Sequence, residues 1–226
     1  MKRLTASLNY DIVVQFRSGF YVVSLLVVGV WVALMRAVKI DAPVVLPAFM
    51  VMNFIVTTFF FMGALFLLER LQGTTAALVV TPLRDTEYLL SKVGSLTLLA
   101  ILENLVVIIL GYGFAFDLLP LLLGMIALGV FYTLVGFVVI SRYEAFNDYL
   151  LPAVGVIMFL TLPLMGQLDL WHTDLFYLHP VQPMLDLLRG AFEPISMGEM
   201  LYGVFGSGVW IGLSFVWAKR VYKEAR

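Results

Sequence analysis

The chain has 226 residues, of which 62% are apolar and 13% charged, with a net charge of −1 and a mean hydropathy of +1.01. Soluble domains carry about 45–50% apolar and about 25% charged residues, so this composition excludes a water-soluble globule and indicates an integral membrane protein. The absence of cysteine excludes a disulfide framework, a thiolate metal site and a cysteine nucleophile.

Residues 4–18 read as an amphipathic helix. Leu4, Leu8, Ile12 and Phe16 recur every four positions, with Arg3, Tyr10, Asp11, Gln15 and Arg17 on the other side. Such a segment lies in the membrane interface and does not cross it. No apolar core directly follows Lys2 and Arg3, so a cleavable signal peptide is not expected. A first span is predicted over residues 20–38, since a bilayer core needs about 20 apolar residues. A turn at residues 39–43 leads to a second span, 44–68, which carries Asn53, Thr57 and Thr58.

Charge then arrives at once with Glu69 and Arg70, and residues 69–92 form a predicted loop containing Gly73, Pro82 and a short amphipathic turn-and-helix. The loop is too long for a hairpin and too apolar for a free linker, with Leu78, Val79, Val80, Leu83, Leu89 and Leu90 in it. It reads either as a cytoplasmic loop with interfacial leucines or as a surface that presents a helix to a soluble subunit.

Lys92 precedes the third predicted span, 93–114. A turn near Asp117 and Pro120, a fourth span at 118–140, a polar loop at 141–149 and a fifth span at 150–168 follow. The stretch 169–199 is broken by Pro180 and Pro183, and residues 181–192 have helical spacing too short for a crossing, which predicts an interfacial or re-entrant helix. The sixth span is predicted at 201–218, before a basic tail. Six spans put both termini on one side. All lysines and arginines except Arg36, Lys39 and Arg189 fall on that side, which the positive-inside rule makes cytoplasmic. The fold class expected is a single all-α membrane domain over residues 1–226. It has six transmembrane helices, an N-terminal interfacial helix and a short outer re-entrant helix.

Catalytic signatures are missing: there is no GxxxxGK[ST], GxSxG, HExxH or paired CxxC. His172 and His179 flank Asp174 in the outer loop and lack a third convergent ligand, so a wet-interface role is expected and no metal site. Glu103 is the single acid inside a predicted span, roughly 16 Å past Lys92 along the helix and near the bilayer midplane. A carboxylate there faces the bundle interior or a cavity. It reads either as a polar contact, with Asn53 and Asn104, on a path for a cationic or hydrogen-bonding solute, or as a tie to Asn53 or Thr57. The glycines of the later spans, Gly124, Gly129, Gly203, Gly206, Gly208 and Gly212, read as close helix packing.

The run LERLQGTTAALVVTPLRDTEYLLSK resembles the permease subunits of type-2 ABC transporters. In that family an ERxxGT motif follows the second span, then a TPLR-type turn and a lysine heading the third. The amphipathic start, the six-span layout and the outer HPVQPMLDLLRGAF segment are similar too. Within the family, the short chain most resembles the actinobacterial drug-export permeases known for fluoroquinolone efflux. The resemblance implies an exporter core: two permeases, identical or paralogous, pair in the plasma membrane, and two ATPase subunits carrying ATP and magnesium dock below. It implies no cofactor in this chain and a small amphiphilic solute as cargo, with no nucleic-acid partner. Carried over, Glu69, Arg70, Gly73, Thr74, Pro82, Leu83 and Arg84 would form the ATPase-coupling region. The segment from Leu4 to Arg17, with Asp11 and Arg17, would be the connecting helix. The outer stretch MGQLDLWHTDL departs from the family's longer insert.

Overall fold

Lipid offers no partner for a free N–H or C=O, so a chain this apolar must satisfy its backbone within helices or a closed barrel. The computed structural model describes residues 2–37, 42–73 and 84–224, and every regular element among them is helical. We label them α1 (Lys2–Arg17), α2 (Phe20–Ala37), α3 (Pro43–Leu71), α4 (Asp85–Gly111), α5 (Leu118–Ile140), α6 (Phe146–Leu160), α7 (Pro163–Gln167), α8 (Gln182–Arg189) and α9 (Met197–Glu224). Five of these, α2 to α5 and α9, are long and apolar enough to cross a membrane.

The core sits on α5, which packs against α3, α4, α8 and α9. The apolar windows of α5 and α3 are 78% and 72% buried, whereas those of α2 and α9 are 22% and 17% buried. The outward rows of α2 and α9, such as Leu25, Leu26, Phe205 and Val209, are therefore surface for lipid or a neighbouring chain. Glycines set the closest approaches. A Cβ on Gly124 would meet Leu188 of α8, one on Gly203 would meet Leu187, and one on Gly136 would sit 2.8 Å from the Phe59 carbonyl oxygen. That carbonyl belongs to a π-helical stretch of α3, Ile55–Phe60, and the Tyr149 hydroxyl of α6 donates to it at 3.4 Å. Nothing in the long apolar run betrays the extra residue of this turn, because a π-bulge leaves the mean hydropathy untouched.

Three expectations are corrected. The third span does not begin after Lys92. The Glu87 carboxylate accepts from the Arg84 N–H at 2.9 Å and caps a helix running unbroken from Asp85, so Lys92 lies inside it and is buried. The predicted loop 69–92 is correspondingly short, with Glu69 and Arg70 still in α3. Its Thr74, Pro82 and Leu83 lie outside the described residues, as do residues 39–41 of the first turn. The predicted fifth span splits at a turn after Leu160, where Pro163 opens the separate α7. Fifteen residues rise about 22 Å, short of a hydrocarbon core of about 30 Å. The predicted helix at 181–192 narrows to α8, whose residues Pro183 to Leu188 are all buried against α3, α5 and α9. By contrast α5 has the predicted bounds, its first turn capped by the Asp117 carboxylate accepting from Leu119 N–H.

Candidate functional site

Positions four apart fall on one stripe of a helix. On α1 that stripe carries Ser7, Asp11 and Gln15, and on α4 a matching stripe carries Tyr88, Ser91, Lys92 and Ser95. The two interlock. Ser7 and Ser91 share a hydroxyl hydrogen bond at 2.8 Å, and Gln15 Nε2 donates to Ser95 Oγ at 2.9 Å. Between them the Lys92 ammonium donates to Asp11 Oδ1 and to Glu69 Oε1 at the end of α3. The Tyr88 hydroxyl donates to Glu69 Oε2 at 2.8 Å, and its ring stacks on Tyr222 of α9 with centroids 4.8 Å apart. Asp11, Glu69 and Lys92 are each no more than 2% exposed. A buried, charge-assisted cluster therefore binds α1, α3 and α4, with α9 leaning on it.

The stripe read as the polar side of α1 divides: Asp11 and Gln15 turn inward and Tyr10 and Arg17 outward, where Val13 and Phe16 are exposed too, Phe16 by 71%. At a membrane face the solvent for the outer side is partly lipid, so apolar residues go out and paired polar residues go in. Sequence reasoning missed Tyr88, Ser91, Ser95 and Gln15 as partners. The signal available was the four-residue spacing of small and polar residues on both helices.

Four other residues of the expected coupling region and connecting helix are described. Arg70 Nη1 donates to the Tyr143 carbonyl oxygen at 3.1 Å, tying the end of α3 to the loop after α5. Gly73, with a φ of +69°, adopts the left-handed conformation that ends α3. Arg84 and Arg17 are exposed.

Glu103, Asn53 and Asn104 are elsewhere, inside the bundle and all buried. Thr57, on the π-turn, donates to Glu103 Oε2, and the Ser24 side chain of α2 lies near the same carboxyl without meeting hydrogen-bond geometry. Asn104 Nδ2 donates to the Ala100 carbonyl within α4. Among the described residues, Glu103 Oε1, Ser24 Oγ, Asn104 Oδ1 and both amide atoms of Asn53 have no hydrogen-bond partner.

At the opposite end the two histidines take separate structural roles. His172 pairs with Asp169 at 3.2 Å on an exposed turn. His179 is buried, its Nε2 3.1 Å from the Phe159 carbonyl and its Nδ1 accepting from Val181 N–H. Burial lowers its pKa, which favours the neutral ring this pattern requires. No group of acids and histidines among the described residues could hold a metal. Beside it, burial pushes the Asp186 carboxyl up to about 6, against the opposing pull of Arg189 and a hydrogen bond from Gln182. An acid with a raised folded-state value favours folding below its ordinary value of 3.8 and loses that contribution as pH rises through about 6. Stability is therefore expected to fall by on the order of 2–3 kcal/mol across that window, and Asp186→Asn to flatten it. Thermal denaturation of both proteins as a function of pH checks this; an unchanged slope in the variant would contradict it.

The model of the Fluoroquinolones export permease protein family matches residues 2–225. Two relatives are fluoroquinolones export permease proteins of Mycobacterium tuberculosis, one from strain CDC 1551 / Oshkosh and one from strain ATCC 25618 / H37Rv. Each is 30% identical to this chain over 205 residues, covering 90% of this chain and 86% of the relative. The match runs through both polar clusters and all five long helices, and the chain belongs to the fluoroquinolones export permease protein family.

Proposed function

We propose that this chain is the membrane subunit of an ATP-driven exporter that moves drug-like, amphiphilic solutes, fluoroquinolones among them, out of the cell. It works with a separate ATPase subunit, which holds the ATP and magnesium, and with a second permease, identical or paralogous. The chain crosses the plasma membrane six times, α6 with α7 making the fifth crossing and α8 dipping from the outer face, and both termini are cytoplasmic. The distribution of lysine and arginine supports this orientation.

The observation that carries the reading is the Asp11–Lys92–Glu69 cluster. It fastens the interfacial helix to the ends of the two helices that flank residues 72–84, where an ATPase would push. A push on that segment then moves α1, α3 and α4 as one body, and Tyr88 against Tyr222 passes the motion to α9. Nucleotide supplies the differential binding energy between inward and outward states, and this chain supplies the stiff lever. Arg84, exposed at the start of α4, is a docking contact in this scheme, with Thr74, Pro82 and Leu83 in the same segment.

The test is a tagged pull-down of the full chain from native membranes, followed by export assays on the recovered complex. A P-loop ATPase is expected to travel with the chain. Glu69→Gln, which keeps the size of the side chain and one hydrogen bond, is expected to retain the ATPase while export per ATP falls about tenfold, the effect of roughly 1–2 kcal/mol of lost coupling. Recovery of the chain alone in mild detergent would overturn the permease reading in favour of a membrane scaffold. Normal export by the Glu69→Gln protein would overturn the lever.

A further inference from the structure

Burying a polar atom without a partner is costly, and burying an unbalanced carboxylate more so. The interior between α2, α3 and α4 holds both. Glu103 is 5% exposed and receives Thr57 on one oxygen, while its Oε1 is unpaired. The unpaired oxygens of Ser24, Asn53 and Asn104 lie on the same three helices. Among the described residues Lys92 is the one buried lysine or arginine, and Asp11 and Glu69 already engage it. Among the described residues, no buried cation is therefore left over for the Glu103 carboxyl.

We propose that Glu103 is the seat for a protonated amine of the exported solute, with Ser24, Asn53 and Asn104 supplying neutral oxygens to its remaining N–H groups. This rests on the export reading and names the chemistry of its cargo. An ammonium fits better than the alternatives. Water balances the hydroxyl and amides but brings no positive charge to the carboxyl, which an ammonium does. A bare divalent ion fits less well, because the single carboxyl of Glu103 would balance half of its charge. The local backbone suits a site too, because Thr57 is aimed at the carboxyl by a π-helical turn of the kind found at functional positions. The lid is α2. It touches the bundle along one stripe, Phe20, Ser24, Val28 and Met35, and Ser24 is the member that lies near Glu103. A solute reaches the carboxylate when that stripe lifts.

The experiment measures equilibrium binding of norfloxacin, whose piperazine carries a basic secondary amine, and of its N-acetyl derivative, in which that amine is masked. The full chain is reconstituted in lipid nanodiscs at a pH where the free amine is protonated. Wild type is expected to prefer norfloxacin by about 30-fold, the effect of removing one partner of a desolvated charge pair. Glu103→Gln is expected to abolish that preference while leaving the acetylated compound unaffected. Equal binding of the two compounds by wild type would overturn the amine seat without any variant. So would a Glu103→Gln protein that keeps the preference, and so would failure of wild type to bind either compound. If Glu103→Gln does not fold, Asn53→Leu is read instead, with the preference expected to shrink several-fold; an intact preference there overturns the site. Failure of the permease reading itself is seen separately, as absence of the ATPase from the pull-down.

Discussion

Lys92→Met is expected to destabilise the protein by about 3–5 kcal/mol and to release α1 from α4. Methionine matches the length and apolar stem of lysine, so the effect isolates the ammonium. Its loss leaves Asp11 and Glu69, each about 1% exposed, as two like charges facing one another with no other buried lysine or arginine among the described residues. The Tyr88 hydroxyl still serves Glu69 Oε2, but among the described residues Asp11 Oδ2 has no hydrogen-bond partner to take up the slack on that side. The outer hydrogen bonds of the ladder, Ser7 to Ser91 and Gln15 to Ser95, contribute about 1 kcal/mol each and cannot hold α1 against that repulsion. Heating detergent-solubilised protein and following the monodisperse peak by size exclusion measures the loss. A companion variant with Asp11→Leu, Glu69→Met and Lys92→Met together removes all three charges and is expected to recover much of the stability, since an apolar replacement of a buried ion pair is often neutral or better. That triple variant separates stability from coupling, because it is expected to fold and yet export poorly. A Lys92→Met protein as stable as wild type would mean that the two carboxylates do not depend on the ammonium.

The boundaries of α5 and the start of α2 were legible because hydropathy marks where a span enters and leaves lipid, and Asp117 supplies a cap at one of those edges. Glu69, Asp11 and Lys92 were each conspicuous in the sequence, yet their meeting was not. Two of them are separated by 81 positions, and an amphipathic pattern read with water as the reference solvent turns Asp11 outward. Where lipid bathes one side of a helix, the paired polar stripe faces in, and the sign of the pattern reverses. The extension of α4 back to Asp85 escaped notice for a related reason. Lys92 looks like the edge of a span until a partner removes the cost of burying it. The π-turn had no signature at all, since its cause is tertiary: Gly136 makes room for the displaced Phe59 backbone and Tyr149 hydrogen-bonds to its carbonyl.

Gly136→Val tests that tertiary cause and is expected to rank beside Lys92→Met in effect. A Cβ at position 136 would stand 2.8 Å from the Phe59 carbonyl oxygen, 3.0 Å from its Cα and 3.3 Å from its carbonyl carbon. These are main-chain atoms, so no rotamer change relieves the clash. Overpacking of a tight interior costs about 1–3 kcal/mol where side chains can yield, and a fixed backbone puts this site at or above the upper end. The way out is for Ile55–Phe60 to move away from α5. That movement carries Thr57 off Glu103 and breaks the Tyr149 hydrogen bond, so a local steric change reaches the interior carboxylate. The matched control is Gly208→Ala on α9, where an added Cβ meets nothing within 4 Å. There the change is expected to be neutral or stabilising by up to about 1 kcal/mol, because alanine is the better helix residue. Thermal midpoints of the two variants in the same detergent decide the matter: if they coincide, helix propensity and not the α3–α5 contact governs these glycines. If Gly136→Val falls and Gly208→Ala does not, with Gly136→Ala falling by less, the π-turn is held in place by a glycine of α5 that lets the Phe59 backbone in.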